Sequence, residues 1–234
     1  MQITEIEQKL FLGNNVDEKS FQQIIGRESI GEFALVELNE YKIVDTYFDT
    51  KDFALERNSS YLRLRSKNAQ HFITLRLLKY EEGIKNIIDE VTHLQNDAGI
   101  KIIFSQLAKA NILNWQPDFS QPDFLKILKS AGLLEVISVQ NDRIEKDIFV
   151  EDIKIGRIKF DRFFYNPYQN QIFFEIEIDT YKNIFLESIK KFRKALKKII
   201  EYPIIETDKS KYKRGIEKVF FVNPILKDLH DKRK

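Results

Sequence analysis

The sequence contains no cysteine, and this absence excludes several kinds of site. Without thiols the chain has no disulfides, no thiolate metal ligands and no cysteine nucleophile. Such a composition is compatible with a reducing compartment. The three histidines are scattered along the chain and do not form a convincing zinc-binding set.

The chain also lacks any apolar run that approaches the length needed to cross a bilayer. Charged residues Glu5, Glu7 and Lys9 interrupt the N-terminal stretch where a secretory signal would need an apolar core. We therefore expect a cytoplasmic protein with no membrane partner. The 38 basic and 36 acidic residues leave a net charge of only +2, so bulk electrostatics do not predict nucleic-acid binding.

What the chain does have is enough apolar content, 43% of 234 residues, to bury a sizeable core. We predict a single domain over residues 1–234, with a helical insert at about 95–133. Helical patterns cover 17–25, 97–113, 122–131 and 183–201. The basic run at 190–198 is interpreted as the solvent face of the last of these helices. The sequence does not distinguish a monomer from a homodimer.

Several other segments alternate apolar residues with charged ones, as β-strands do. Arg63 and Arg65 alternate with leucines, and the same period recurs at 157–161 and 175–179. Any one of these strands alone is better explained by a solvated face of an ordinary sheet. The signs of the charges are segregated, however, because the Arg63 strand supplies only cations. If the polar faces turn inward in a closed barrel, they line a hydrated tunnel and leave the apolar faces to be covered by helices.

Two pairs of carboxylates carry the opposite sign, Glu5 with Glu7 and Glu175 with Glu177. Residues two apart on a strand share a face, so the members of each pair lie side by side. Such pairs repel one another unless something positive lies among them. A divalent metal ion is the obvious candidate, since it prefers oxygen ligands.

The order of these motifs resembles that of the CYTH family, the triphosphate tunnel metalloenzymes, whose first strand reads Glu-x-Glu-x-Lys, as Glu5, Glu7 and Lys9 do here. Further matches follow in family order: Thr46-Tyr47-Phe48-Asp49-Thr50, Tyr61-Leu62-Arg63-Leu64-Arg65, Thr74-Leu75-Arg76, Glu175-Ile176-Glu177 and Ser210-Lys211-Tyr212-Lys213-Arg214-Gly215. The resemblance extends from about residue 3 to about residue 215. It implies an α+β fold, an antiparallel β-barrel with a polar interior and helices packed outside.

The resemblance also implies roles for individual residues. The catalytic set would be Glu5, Glu7, Lys9, Arg63, Arg65, Glu175 and Glu177. Phosphate groups would be bound by Lys9, Arg63, Arg65, Arg76, Arg143, Lys159 and Lys211. Mg²⁺ or Mn²⁺ would be bound by Glu5, Glu7, Glu90, Asp161, Glu175 and Glu177.

At some positions the sequence departs from the family pattern. Arg76 stands where the family usually has lysine, and Ile88 stands where it usually has arginine, so Lys85 is an alternative source of that phosphate contact. Tyr47, Asp49 and Tyr212 are open to two interpretations, a part in catalysis or a purely structural part in packing and turns.

Three functions are compatible with these features. The leading interpretation is a metal-dependent triphosphatase acting on inorganic tripolyphosphate or a related small triphosphate such as thiamine triphosphate. The second is a class IV adenylate cyclase, which ranks lower because no local motif identifies an adenine pocket. The third is a non-catalytic module that binds polyphosphate or nucleotides, although both carboxylate pairs argue against it. The sequence does not select the physiological substrate or choose between Mg²⁺ and Mn²⁺.

Overall fold

The computed structural model describes residues 6–14, 16–81, 84–93, 97–112, 117–121, 123–166, 171–180, 183–207 and 209–222, with the backbone alone at 6, 78–81, 84–91, 93 and 183. The strands are β1 (Ile6–Gly13), β2 (Ser29–Ile30), β3 (Phe33–Thr50), β4 (Tyr61–Lys67), β5 (Gln70–Glu81), β6 (Ile84–His93), β7 (Leu133–Val150), β8 (Ile153–Asn166), β9 (Phe173–Thr180) and β10 (Ile205–Thr207). The helices are α1 (Glu18–Ile25), α2 (Ala54–Arg57), α3 (Asp97–Lys109), α4 (Phe124–Ser130), α5 (Leu186–Ile199) and α6 (Lys211–Val222). Every helix in these ranges is too short or too polar to span a bilayer.

The strands form one sheet with the order β10-β1-β9-β8-β7-β3-β4-β5-β6, and β2 pairs with β3. The α+β class and the antiparallel sheet predicted from the sequence are confirmed. Over the described residues the order has two ends, at β10 and β6, so the hydrogen-bonded ladder does not close on itself.

By their contacts, the residues form two compact units. The first, called unit one, comprises Met1–Lys42, Gln140–Phe164 and Tyr168–Asp208. The second, called unit two, comprises Ile43–Val139, Tyr165–Pro167 and Lys209–Lys234.

The core of unit one lies between one face of its strands and the helices α1 and α5. Ile176 and Ile178 of β9 alternate with the acidic residues and are fully buried in this core. Phe21 of α1 and Phe192 of α5 are buried against it, each at helical spacing from other apolar residues. Because the apolar face of each strand is used in this way, its charged face is left for other purposes.

Unit two repeats this arrangement with different elements. Leu62, Ile73 and Leu75 of β4 and β5 are buried in a core that also contains residues from α3 and α4. These two helices occupy the stretch where the sequence indicates a helical insert. The helical pattern did not predict α2 or α6, and the latter begins at Lys211 inside the last motif.

Asp49 shows why the turn after β3 has its shape. Its carboxylate accepts hydrogen bonds from the backbone N–H of Thr50 at 2.7 Å, of Leu55 at 2.8 Å and of Glu56 at 2.9 Å, and from the Tyr212 hydroxyl at 3.1 Å. It therefore satisfies N–H groups at the start of α2, which has no side-chain cap of its own. Of the two interpretations of Asp49, these contacts support the structural one.

The buried Asp49 carboxyl predicts an unusual dependence of stability on pH. Burial raises its pKa to about 6, despite the hydrogen bonds that lower it. Because the folded pKa lies above the ordinary value, the folded protein binds more protons than the unfolded chain between about pH 4 and pH 6. The free energy of unfolding therefore falls as pH rises through this window. Between about pH 4 and pH 6, the free energy of unfolding of the wild type should fall by up to about 3 kcal/mol relative to that of Asp49→Asn.

Urea denaturation of both proteins at half-unit steps from pH 4 to pH 7 measures this difference. Asp123→Asn is the control for exchanging a capping carboxylate for an amide, since Asp123 caps α4 from an exposed position. A difference between wild type and Asp49→Asn that stays constant over the whole range would contradict the assignment.

Candidate active site

The clearest candidate site in unit one is a trio of carboxylates, Asp161, Glu175 and Glu177. Antiparallel pairing of β8 with β9 puts Asp161 directly opposite Glu175 and Lys159 directly opposite Glu177. Each of the three acids offers an oxygen within 4.8 Å of the others. Asp161 and Glu175 have no exposed surface, and Glu177 is 6% exposed. The structure thus brings together three of the six predicted metal ligands.

Arg143 of β7 holds two members of this trio. Its Nε and Nη2 each donate to a different Asp161 oxygen at 2.6 Å, and Nη2 also lies 2.8 Å from Glu177 Oε2. Burial lowers the pKa of the guanidinium, but the two carboxylates outweigh burial and raise it well above its usual value. The sequence assigned Arg143 to phosphate, and the structure places it among the predicted metal ligands.

The other charged residues of this face also form ion pairs. Lys159 contacts Asp179, and burial, which lowers the Lys159 pKa, is outweighed by that carboxylate, which raises it. On β1, Lys9 contacts Glu7, and Glu7 is not one of the three carboxylates whose oxygens lie within 4.8 Å of one another. Lys9 is directly opposite Glu177 in the ladder.

The side chains of two predicted metal ligands, Glu5 and Glu90, lie outside the described part of the chain. Glu5 lies outside the described residues. The backbone of Glu90 pairs with that of Leu75, and its side chain is outside the described part of the chain. Their roles stay predictions.

The charges of this face suit a divalent cation. Among the described residues just named, five carboxylates (Glu7, Asp161, Glu175, Glu177 and Asp179) face three cations (Lys9, Arg143 and Lys159). All the trio's donors are hard carboxylate oxygens, which Mg²⁺ and Mn²⁺ prefer to nitrogen or sulfur.

The candidate site of unit two is basic and is built around Asp45. Arg65 donates to this buried carboxylate through Nε and Nη2, each at 2.6 Å, while Arg63 Nη1 lies 3.6 Å away. Burial raises the Asp45 pKa, but the bond from Arg65 and the charges of Arg63, Arg65 and Lys211 together lower it. Arg63 also donates from Nη2 to Thr74 Oγ1 at 3.2 Å. Asp45 thus holds the two arginines that the sequence predicted to act together.

Tyr61 lies beside two of these cations. The guanidinium carbons of Arg63 and Arg76 lie 5.7 Å and 5.5 Å from the centre of its ring, which is the range of a cation–π contact. Tyr47 stacks on Tyr212 with ring centroids 4.7 Å apart, and Tyr61 meets both rings edge-on. These contacts support the packing interpretation of Tyr47 and Tyr212.

Helix α6 positions Lys211, the last predicted phosphate ligand. The Tyr165 hydroxyl donates to the Lys211 carbonyl oxygen at 3.0 Å. A Cβ at Gly215 would lie 2.7 Å from side-chain atoms of both Ile137 and Tyr165, so only glycine permits this close approach. The glycine of the last motif therefore has a packing role beside its lysine.

Sequence reasoning missed Asp45, Asp179 and Asn141. Asp179 follows Glu175 and Glu177 at the same spacing of two, and Asp45 precedes Tyr47 at that spacing, so strand alternation was an available signal for both. Asn141 precedes Arg143 by two residues, and its Nδ2 donates to Asp161 Oδ1 at 2.9 Å. Whether the acidic trio and the basic set line one tunnel stays a prediction.

The burial of the Arg143 ion pairs predicts a large stability effect. Arg143→Met should lower the free energy of unfolding by about 3 to 5 kcal/mol in EDTA, because it leaves Asp161 and Glu177 buried without their guanidinium. Arg162→Met is the matched control: Arg162 also contacts two carboxylates, Glu18 and Asp142, but these are about half exposed. The free energy of unfolding of Arg162→Met should fall by less than about 1 kcal/mol. Equal losses in urea denaturation would refute the assigned role.

Comparison with solved structures supports the fold. A protein from Hippeastrum, described as a candidate adenylyl cyclase with a dominant triphosphatase activity, is 18% identical with a TM-score of 0.55; the match covers 92% of this chain and 96% of that one. A candidate adenylate cyclase from Bacillus halodurans is 21% identical with a TM-score of 0.50, covering 90% and 96%. These similarities establish the fold alone, which is the triphosphate tunnel fold.

Comparison with protein sequences gives the family. No curated protein matches the chain. The CYTH domain family matches residues 4–216, a span that includes β1, with its charged motif, and the residues of both candidate sites. This chain therefore belongs to the CYTH family.

Proposed function

We propose that this protein hydrolyses inorganic tripolyphosphate or a related small triphosphate with the help of Mg²⁺ or Mn²⁺. The observation that carries the proposal is the buried trio of Asp161, Glu175 and Glu177, whose carboxylate oxygens lie within 4.8 Å of one another. A protein that only bound a phosphate chain would gain nothing from buried carboxylates facing its anionic ligand. Membership of the CYTH family and the fold shared with a protein described as a triphosphatase support the same function.

Asp161, Glu175 and Glu177 would hold the ion, and the sequence adds Glu5, Glu7 and Glu90 as further ligands. When bound, the ion would neutralise phosphate oxygens and favour ionisation of the attacking water. The donor set fits this task because it consists of hard oxygens in a site that excludes most solvent.

The protein's own cations would supply the rest of the catalysis. Arg63, Arg65 and Arg76 would contact the non-bridging oxygens, where negative charge is redistributed during phosphoryl transfer. Fixed cations stabilise such charge without reorganising, and Asp45 and Tyr61 fix these side chains in advance. Lys9, Lys159 and Lys211 would complete the binding of the chain. Arg143 would bind phosphate after exchanging one of its carboxylate contacts.

A substrate panel tests the proposal. Purified protein is incubated with tripolyphosphate, thiamine triphosphate or ATP, with Mg²⁺, Mn²⁺ or EDTA, and orthophosphate, pyrophosphate and cyclic AMP are measured. We expect metal-dependent release of orthophosphate, a loss of roughly a hundredfold or more in Glu177→Gln, and no change in Glu187→Gln, an exposed acid paired with Lys190. Cyclic AMP with pyrophosphate would favour the cyclase, and no turnover under any condition would overturn the enzymatic assignment.

The same assay tests the phosphate-binding arginines. Arg63→Ala and Arg65→Ala should each lower kcat/KM by about tenfold or more, which corresponds to roughly 1.4 kcal/mol or above for a lost charged contact. Lysine at either position should recover only part of the loss, because a point charge cannot reproduce the two-pronged contact of guanidinium. Arg162→Ala is the control. Values close to wild type for both alanine variants would remove these arginines from the site.

A further inference from the structure

Asn141, a buried residue next to the carboxylate trio, has a side-chain oxygen that accepts no hydrogen bond from the described residues. Asn141 of β7 is 7% exposed, and its Oδ1 accepts no hydrogen bond from any described protein group. The other end of the same amide is engaged, because Nδ2 donates to Asp161 Oδ1. Leaving a buried acceptor unpaired is costly, and such groups in native proteins need a specific explanation.

The partners of Asp161 suggest that explanation. Its Oδ1 takes two donors, Asn141 Nδ2 at 2.9 Å and Arg143 Nε at 2.6 Å. The amide thus presents its nitrogen to a carboxylate that also accepts two bonds from Arg143. If a divalent cation were bound by the trio, Asp161 would be neutralised by the ion and would no longer require the hydrogen bond from Asn141 Nδ2. The cation itself would be coordinated by an oxygen at this position. A half-turn of the terminal amide exchanges nitrogen for oxygen without moving any other atom of the chain, since the two have nearly the same shape.

We propose that Asn141 is an additional ligand of the divalent cation at the trio, supplying an amide oxygen beside the carboxylates of Asp161, Glu175 and Glu177. The amide nitrogen donates to Asp161, and after a half-turn of the amide its oxygen would lie there as a ligand of the cation. Amide oxygens are among the hard donors that coordinate such ions. The inference rests on the proposed function for the presence of the cation, but it concerns binding and not turnover.

Two substitutions separate a ligand from a residue that merely orients Asp161. Asn141→Leu removes both the oxygen and the donor, whereas Asn141→Asp keeps an oxygen of the same reach and loses the donor. If Asn141 is a ligand, Mn²⁺ binding should weaken roughly tenfold or more in the leucine variant and should be equal to or tighter than wild type in the aspartate variant. If it acts only through its hydrogen bond to Asp161, the leucine variant should lose well under tenfold in Mn²⁺ affinity, because Asp161 keeps both bonds from Arg143.

The readout is the dissociation constant of Mn²⁺ itself, measured on the full chain without substrate by isothermal calorimetry and by the electron paramagnetic resonance signal of free Mn²⁺. Thermal melts in EDTA accompany it. The leucine variant should still melt cooperatively, because Asp161 keeps both of its bonds from Arg143 when the amide donor is lost. The aspartate variant should melt at a lower temperature, because it adds a carboxylate beside Asp161.

The outcomes distinguish this inference from the function proposed above. Wild-type affinity for Mn²⁺ in Asn141→Leu, or weakened affinity in Asn141→Asp, would overturn the inference and leave the triphosphatase assignment intact. The expected pattern of affinities in a protein that hydrolyses none of the triphosphates would support the inference while the proposed hydrolysis failed. Wild type that binds no Mn²⁺ at millimolar concentration would overturn both the ligand and the metal-dependent mechanism.

Discussion

Carboxylates without exposed surface require cations close by, and the polar face of unit one depends on this constraint. Asp161, Glu175 and Asp179 are fully buried. Pairing of neighbouring strands supplies the compensation, because it brings Lys159 of β8 into contact with Asp179 and Arg143 of β7 into contact with Asp161 and Glu177. A slip of one residue in this register would turn the charges into the core that Ile176 and Ile178 now fill, so the same pairs that balance charge also fix the strand alignment.

Much of the architecture could be predicted because its signals are local. The alternation of charged and apolar residues in β4, β8 and β9 is visible in the sequence, and so are the helical patterns of α1 and α5. Helix α6 was missed because it begins within the last motif and contains Gly215, which lowers helix propensity. That glycine is explained only by the side chains of Ile137 and Tyr165, which approach it from distant parts of the sequence.

The sequence predicted which residues belong to the candidate site, but it did not predict which of them contact one another. On β7, Asn141, Arg143, Glu145 and Asp147 alternate, but the intervening Asp142 and Lys146 are also charged, so the period of two is hidden. Arg143 is a phosphate ligand by resemblance alone, and its bond to Asp161 depends on the neighbouring strand. The family motifs likewise gave no sign of Asp45, whose importance comes from the two arginines on the strand paired with it.

The short strand β10 has a consequence for how the protein behaves at high concentration. It is three residues long, lies at one end of the strand order and pairs with β1. Its central Glu206 contacts Arg193 and Lys197 of α5, which surrounds this edge with charge. A long, flat and uncharged edge strand invites a strand from another molecule. Here an incoming chain would find few backbone groups to pair with and would have to displace two ion pairs, so this edge should resist the growth of intermolecular sheets.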